Sequence, residues 1–269
     1  MRVRPRIVSL APSHTEILFA LGLGEQVTGV TEHCDYPLEV SGKVRIGPFA
    51  RPDVAKIVSL QPNLVLACGK LHQAYIEELL SAGLNVLDFF PRTLRELLDG
   101  MGTLTDIAGA GRTGRELVAV LTERLCKIKE KTMAFAKPRV YLIMFDRPVT
   151  TPGPLSCQYD ALRLAGASLM AMDKELSFMF VPWERLIEFD PEIIISCGAP
   201  PGRPKMKCPG CKVENPPCRR DVAVLMENPY LANTPAVKNK RVYPIPCHCL
   251  CRPGPRMFEG IEKLFNIFS

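Results

Sequence analysis

The sequence holds no apolar run approaching the roughly 20 residues a membrane-spanning helix needs. It also lacks the short signatures of common reaction machinery: no G-x-S-x-G elbow, no Walker loop, no G-x-G-x-x-G after a strand pattern and no H-E-x-x-H. Only four histidines and one tryptophan occur in 269 residues. Ser13 and His14 adjoin, but adjacency in sequence does not make a nucleophile–base pair, and capping a helix suits that turn better. These absences favour a binding protein over an enzyme. The net charge of +6 comes from scattered Lys and Arg, so no basic stripe argues for nucleic acid. No targeting segment is legible either: the basic stretch Met1 to Arg6 runs at once into a strand pattern, and His14 and Glu16 interrupt any apolar core. A cytoplasmic location is expected, or a periplasmic or extracellular one if a leader was removed. Cysteine is not scarce. The chain has 11, an odd number that suits reactive or metal-bound thiols in a reducing compartment better than a complete disulfide set.

The pattern that organises the chain lies near its middle, from Thr113 to about Phe135. Thr113 followed by Glu116 has the form of a capping box. Leu117, Leu121, Leu125 and Ile128 then recur at helical spacing, and nothing interrupts until Lys137-Pro138. A helix of roughly 30 Å is predicted, long for a crossover, and it reads as a rigid strut. Before it, strand and helix patterns alternate: strands at Arg6–Leu10, Val27–Thr31, Leu64–Ala67 and Val86–Phe89, with helices between, the first capped by Ser13 or Thr15. After it come strands at Arg139–Phe145, Ile193–Ser196 and Arg241–Ile245, with helices at Cys157–Ala165, Trp183–Phe189 and Arg256–Phe268. The expected fold is α/β: two Rossmann-like lobes (1–111 and 137–269) with central parallel sheets, joined by the helix over 112–136, with a ligand cleft between the lobes. Residues 199–218, rich in Pro, Gly, Lys and Cys, break the periodicity as an insertion within the second lobe.

An internal repeat supports two lobes built on one plan. Ile57 to Gly69 lines up with Leu186 to Gly198: a helix end, a Pro turn, three apolar strand residues, then Cys-Gly. Arg4-Pro5-Arg6-Ile7 is echoed by Lys137-Pro138-Arg139-Val140.

Ligands of open α/β sheets bind beyond the carboxyl ends of the strands. The loops there hold most of the cysteines and all the histidines. Cys208-Pro-Gly-Cys211 with Cys218, and Cys247-His-Cys249-Leu-Cys251, place six thiols in two loops at one expected sheet edge. Such thiols suit zinc or an iron–sulfur cluster, and the spacing does not choose between them; free or opportunistically bridged thiols are the bland alternative. Trp183 reads as a ligand-stacking ring or as core between the lobes. Phe49 is a candidate apolar wall, His33 and Tyr36 are loop residues with a binding or merely structural role, and His72 reads as a solvated residue at a helix start.

On the segments Arg6 to Gly22, Val30 to Pro37, Ile57 to Leu66 and Arg252-Pro-Gly-Pro-Arg256, the chain resembles the cobalamin-binding substrate-binding proteins of ABC importers, over nearly its whole length. The resemblance implies two α/β lobes on one long helix and a corrinoid gripped between them. It assigns ligand contacts to Ser13, Tyr36, Phe49, Lys70, Phe145 and the loop before Arg252, and His14, Trp183 and Arg252 complete the candidate set. It also implies docking on a transporter through an acidic residue of each lobe, which Glu184 matches in one while Ala55 stands at the other. The expected function is a non-enzymatic binding protein for a corrinoid or other metal-chelate ligand, with a cysteine-held metal or iron–sulfur centre beside it. Two alternatives stand next to it: a cytoplasmic redox or metal-transfer protein whose cluster acts on the bound ligand, and the substrate-binding component of an ABC importer.

Overall fold

The computed structural model describes residues 5–134, 136–146, 148–172, 175–198 and 222–269. The chain divides into two compact units. Of the described residues the first comprises 5–91 and 95–121, and the second 92–94, 122–198 and 222–269.

In the first unit, strands β1 (Ile7–Ser9), β2 (Val27–Val30), β3 (Val44–Arg45), β4 (Leu64–Ala67) and β5 (Val86–Asp88) form one parallel sheet in the order β3-β2-β1-β4-β5. The helices α1 (Pro12–Ala20), α2 (Val54–Ser59), α3 (Gln73–Ser81) and α4 (Leu94–Ile107) intervene or follow. β1 is flanked by strands on both sides and is buried at all three positions, which is why Ile7-Val8-Ser9 reads as an unbroken apolar run. Val8, Leu10, Ile46, Ile57, Val65, Ala67 and Leu79 form one of this unit's core clusters.

The long helix α5 (Gly111–Thr132) has 22 residues, about 33 Å. It begins two residues before Thr113, so the Thr113–Glu116 capping box is not used; Glu116 accepts a hydrogen bond from Arg112 Nε at 2.6 Å instead. The first helix also departs from expectation at its start. Its N-cap is Ala11, with Pro12 in the first turn, so Ser13 and Thr15 fall inside the helix. Proline's missing N–H costs nothing there, and Thr15 Oγ1 turns back to Ser9 Oγ at 2.8 Å.

In the second unit β6 (Val140–Ile143), β10 (Ile193–Cys197) and β11 (Val242–Ile245) form a parallel sheet in the order β11-β10-β6. A second, antiparallel sheet joins β7 (Phe145–Asp146), β8 (Val149–Pro152) and β9 (Phe178–Phe180). The single strand expected over Arg139–Phe145 is therefore two: the chain leaves the parallel sheet after Ile143. Helices α6 (Cys157–Leu164), α7 (Trp183–Phe189), α8 (Ala223–Met226), α9 (Pro235–Lys238), α10 (Cys247–Leu250) and α11 (Pro255–Phe268) complete the unit. Arg124 on the last part of α5 pairs with Glu262 of α11 through two bonds of 2.7 Å.

The repeat is structural down to single bonds. Arg6 donates its Nε to the Gln61 carbonyl at 2.9 Å, and Arg139 donates its Nε to the Asp190 carbonyl at 2.8 Å. Gln61 and Asp190 both adopt the left-handed backbone, φ 46° and 52°, one residue before the prolines of the repeat. The Arg6 amide donates to Asn63 Oδ1 at 2.7 Å, and the Arg139 amide to Glu192 Oε2 at 2.8 Å.

Candidate functional site

At the carboxyl edge of the first unit's sheet the loops are held by side chains rather than by more strand. Arg45 Nη1 donates to the carbonyls of Thr31 (2.9 Å) and Cys34 (2.7 Å). Cys34 is buried between Thr15 and Thr31, its Sγ 3.1 and 3.2 Å from their hydroxyls. Burial raises its pKa, so this thiol is a packing residue.

Three histidines brace the edge. His72 Nε2 donates to the Phe49 carbonyl at 2.7 Å and its Nδ1 accepts from the Cys68 amide at 3.0 Å. Those partners specify a neutral ring, and burial lowers its pKa. His72 is fully buried, not the solvated helix-start residue expected. His33 Nδ1 accepts the Phe49 amide at 3.1 Å. Phe49 is thus clamped at both backbone groups, and its half-buried ring meets the His72 ring edge-on at 5.3 Å.

His14 was a candidate ligand contact, yet it is 2% exposed. Its Nε2 donates to the Phe89 carbonyl at 2.8 Å, while Nδ1 has no hydrogen-bond partner. A second proton would put a charge in the core, and burial lowers its pKa to about 4. His14 therefore braces the end of β5. Ser13 beside it is half-buried, and Tyr36 and Lys70 are exposed. Phe90, which the periodicity did not single out, is exposed and lies over Gly69, where a Cβ would come within 2.9 Å of its ring. Gly69 has φ +55°, so glycine both permits the turn and leaves room for the ring.

In the second unit the antiparallel sheet carries an aromatic face. Phe145 pairs with Thr150, Thr150 with Phe180, and Pro152 with Phe178. Directly paired residues share a face, as do residues two apart on one strand, so Phe145, Phe178 and Phe180 stand on the same side. They are 40%, 50% and 74% exposed, while Met179 between them packs against the core. Of the three rings only Phe145 is an expected contact from the sequence. Alternation over the three residues of β9 is too short to register.

Trp183 stacks on Tyr230, ring centres 5.5 Å apart and planes within 5°. It packs against this unit's own core, so one ring face is already taken. Glu184 is exposed at the start of α7, and Arg252 is half-buried.

The cysteines are redistributed. Cys208, Cys211 and Cys218 lie outside the described residues. Cys249 is buried, with its Sγ 3.6 Å from Lys263 Nζ. Its carbonyl lies where a Cβ on Gly260 of α11 would be 1.8 Å away. Cys249 thus packs between α10 and α11. Cys251 instead meets Cys197, a residue outside the two expected thiol loops, with Sγ atoms 2.8 Å apart. Its contacts with Cys197 and Cys247, and then burial, hold the Cys251 thiol well above its ordinary pKa. Among the described residues, no group of three or more His, Cys, Asp or Glu is arranged to hold a metal ion, so the expected zinc or iron–sulfur centre finds no support there. No described helix is long and apolar enough to cross a membrane.

Comparison with known proteins adds a lineage. The family model described as periplasmic binding protein matches residues 7–247. The uncharacterized ABC transporter substrate-binding lipoprotein YvrC of Bacillus subtilis is 28% identical over 267 residues, covering 96% of this chain and 78% of that one. Among solved structures, the periplasmic vitamin B12 binding protein BtuF of Vibrio cholerae aligns with a TM-score of 0.80 at 22% identity, over 98% of this chain and 96% of its own. The periplasmic heme-binding protein RhuT of Roseiflexus sp. RS-1 aligns with a TM-score of 0.78 at 23% identity, over 99% and 98%.

Proposed function

The chain belongs to the periplasmic binding protein family, and from that premise we propose that it is the substrate-binding component of an ABC importer for a flat metallo-macrocycle, a corrinoid in the first place. The observation that carries this reading is the aromatic face of Phe145, Phe178 and Phe180. Three exposed rings on one side of a three-stranded sheet are unfavourable in water, and such a patch marks a binding surface. A sheet face is flat at this scale and matches the face of a conjugated ring, against which phenyl rings stack or pack edge-on. In the first unit by itself, exposed Phe90, Tyr36 and Lys70 and half-buried Phe49 and Ser13 are proposed as separate ligand contacts, and in the second unit half-buried Arg252 is the proposed positive charge.

Relatives named for vitamin B12 and for heme support the same ligand class. Heme is the second reading, favoured by the heme-binding neighbours. Relatives named periplasmic or lipoprotein favour an extracytoplasmic location over the cytoplasmic one expected. Glu184 is the proposed transporter-docking residue and stands apart from ligand affinity. Among the described residues no observation supports a cysteine-held centre acting on the ligand.

Titration with cyanocobalamin and, separately, hemin tests the reading. Saturable one-to-one binding of cobalamin is expected, with Phe178→Ala and Phe180→Ala each weakening it by roughly tenfold and Glu184→Gln leaving it unchanged. Saturation by hemin alone moves the assignment to the second reading. Failure of both rings to bind overturns the proposal.

A further inference from the structure

The sulfur cluster at the carboxyl end of β10 has no part in the ligand reading. Cys197 is the last residue of β10 and is 1% exposed. Cys251 closes α10, its amide donating to the Cys247 carbonyl at 2.7 Å. Helical spacing puts Cys247 and Cys251 on one face, and their thiols interact. The Cys197 and Cys251 sulfurs are 2.8 Å apart, and a disulfide holds its sulfurs at about 2.05 Å. The pair can therefore close with little movement of either backbone.

We propose that Cys197 and Cys251 form a reversible disulfide site, with Cys247 as the neighbouring exchange thiol. In the forward step the small fraction of half-buried Cys251 present as thiolate attacks one sulfur of a low-molecular-weight disulfide such as glutathione disulfide and releases one small thiol, and the raised pKa of Cys251 makes this step slow. Cys197, deprotonated, then attacks Cys251 Sγ in the mixed disulfide and expels the second. Two protein S–H bonds are lost, two electrons pass to the reagent, and the two small thiols carry away the protons. The product ties the end of the central strand β10 to the Arg252-Pro253-Gly254 segment that opens α11. A large chain loop is closed, which favours the folded state by restricting the unfolded one. In an oxidising compartment the bridge is the populated form. The repeat sharpens the assignment: Cys68 occupies the matching strand end in the first unit, and there its amide is bound by a histidine ring.

The test equilibrates the full chain with glutathione disulfide, alkylates the remaining thiols and maps tryptic peptides by tandem mass spectrometry. A Cys197–Cys251 cross-link is expected, reversed by dithiothreitol and unaffected by Cys249→Ser. In Cys251→Ser the link should shift to Cys197–Cys247 at reduced yield. Recovery of Cys197 and Cys251 both alkylated in the oxidised wild type overturns the proposal, as does linkage of either to a different cysteine. The wild-type map needs no variant to fold, and its outcome is independent of whether cobalamin binds.

Discussion

The two units start from the same strand–turn design and finish their sheet edges with different chemistry. In both, an arginine just before the first strand caps the carbonyl of a left-handed residue ahead of a proline. Beyond that shared base the first unit closes its edge with hydrogen-bonded histidines around Phe49. The second closes its edge with thiols and an antiparallel flap of exposed phenylalanines. The scaffold tolerates this divergence because the repeat elements are the buried ones, whereas loops past the strand ends carry few packing constraints.

Three substitutions or conditions test how far the units are independent. The largest effect is expected in the second unit at Gly260, where an alanine Cβ would fall 1.8 Å from the Cys249 carbonyl oxygen. The backbones of α10 and α11 must separate, so Gly260→Ala should cost about 3 kcal/mol. In the first unit Gly42 has nothing within 4 Å of the corresponding position, and Gly42→Ala should be close to neutral. Calorimetry that showed equal melting for the two variants would break the contrast.

Acid should act on the first unit. His14, with its pKa lowered from 6.5 to about 4 by burial, stays neutral in the folded chain and takes up a proton when unfolded. Its contribution is therefore complete above about pH 6.5 and is lost as pH falls toward 4, on the order of 3 kcal/mol in all. His72 is shifted in the same direction. Urea unfolding measured from pH 7 to pH 4 should steepen for the wild type and flatten for His14→Gln, which keeps a donor for the Phe89 carbonyl. Identical pH profiles for the two proteins would show that His14 is not the source.

The smallest effect compares the arginines of the repeat. On mutation to alanine Arg6 loses two charged hydrogen bonds to the Gln61 carbonyl, from Nε at 2.9 Å and Nη2 at 2.6 Å, and Arg139 loses one to the Asp190 carbonyl, each worth about 1 kcal/mol. Arg139 also faces Asp190 at 3.2 Å and Glu192 at 3.6 Å, both well exposed, which adds only some tenths of a kcal/mol. Raising NaCl to 1 M should therefore lessen the cost of Arg139→Ala by those tenths and leave that of Arg6→Ala unchanged. An equal salt response of the two variants would contradict an ion-pair origin.

Much of the architecture was legible beforehand because it rests on local, periodic signals. Alternating apolar strands and amphipathic helices, the uninterrupted run through α5, and the Pro turns shared by Ile57–Gly69 and Leu186–Gly198 all act over a few neighbours in sequence. The antiparallel sheet was not legible. Its strands have two to four residues, too few for a period of two to show, and although β7 and β8 are near neighbours in the chain, β9 pairs with β8 from a distant stretch. Helix starts were misread for a related reason. Thr113 and Ser13 have the right side chains for caps, but Gly111 and Pro12 had already set the backbone of the first turn.

What the sequence determined by itself is the α/β class, the internal repeat and the family, since burial patterns and turn residues specify these locally. Tertiary structure alone decided which functional side chains meet. It turned His14 inward, aligned Phe145 with Phe178 and Phe180, and exchanged Cys249 for Cys197 in the thiol cluster. Those outcomes depend on strand pairing and helix contact between residues far apart in the chain, where no spacing rule reaches and only packing chooses the partner.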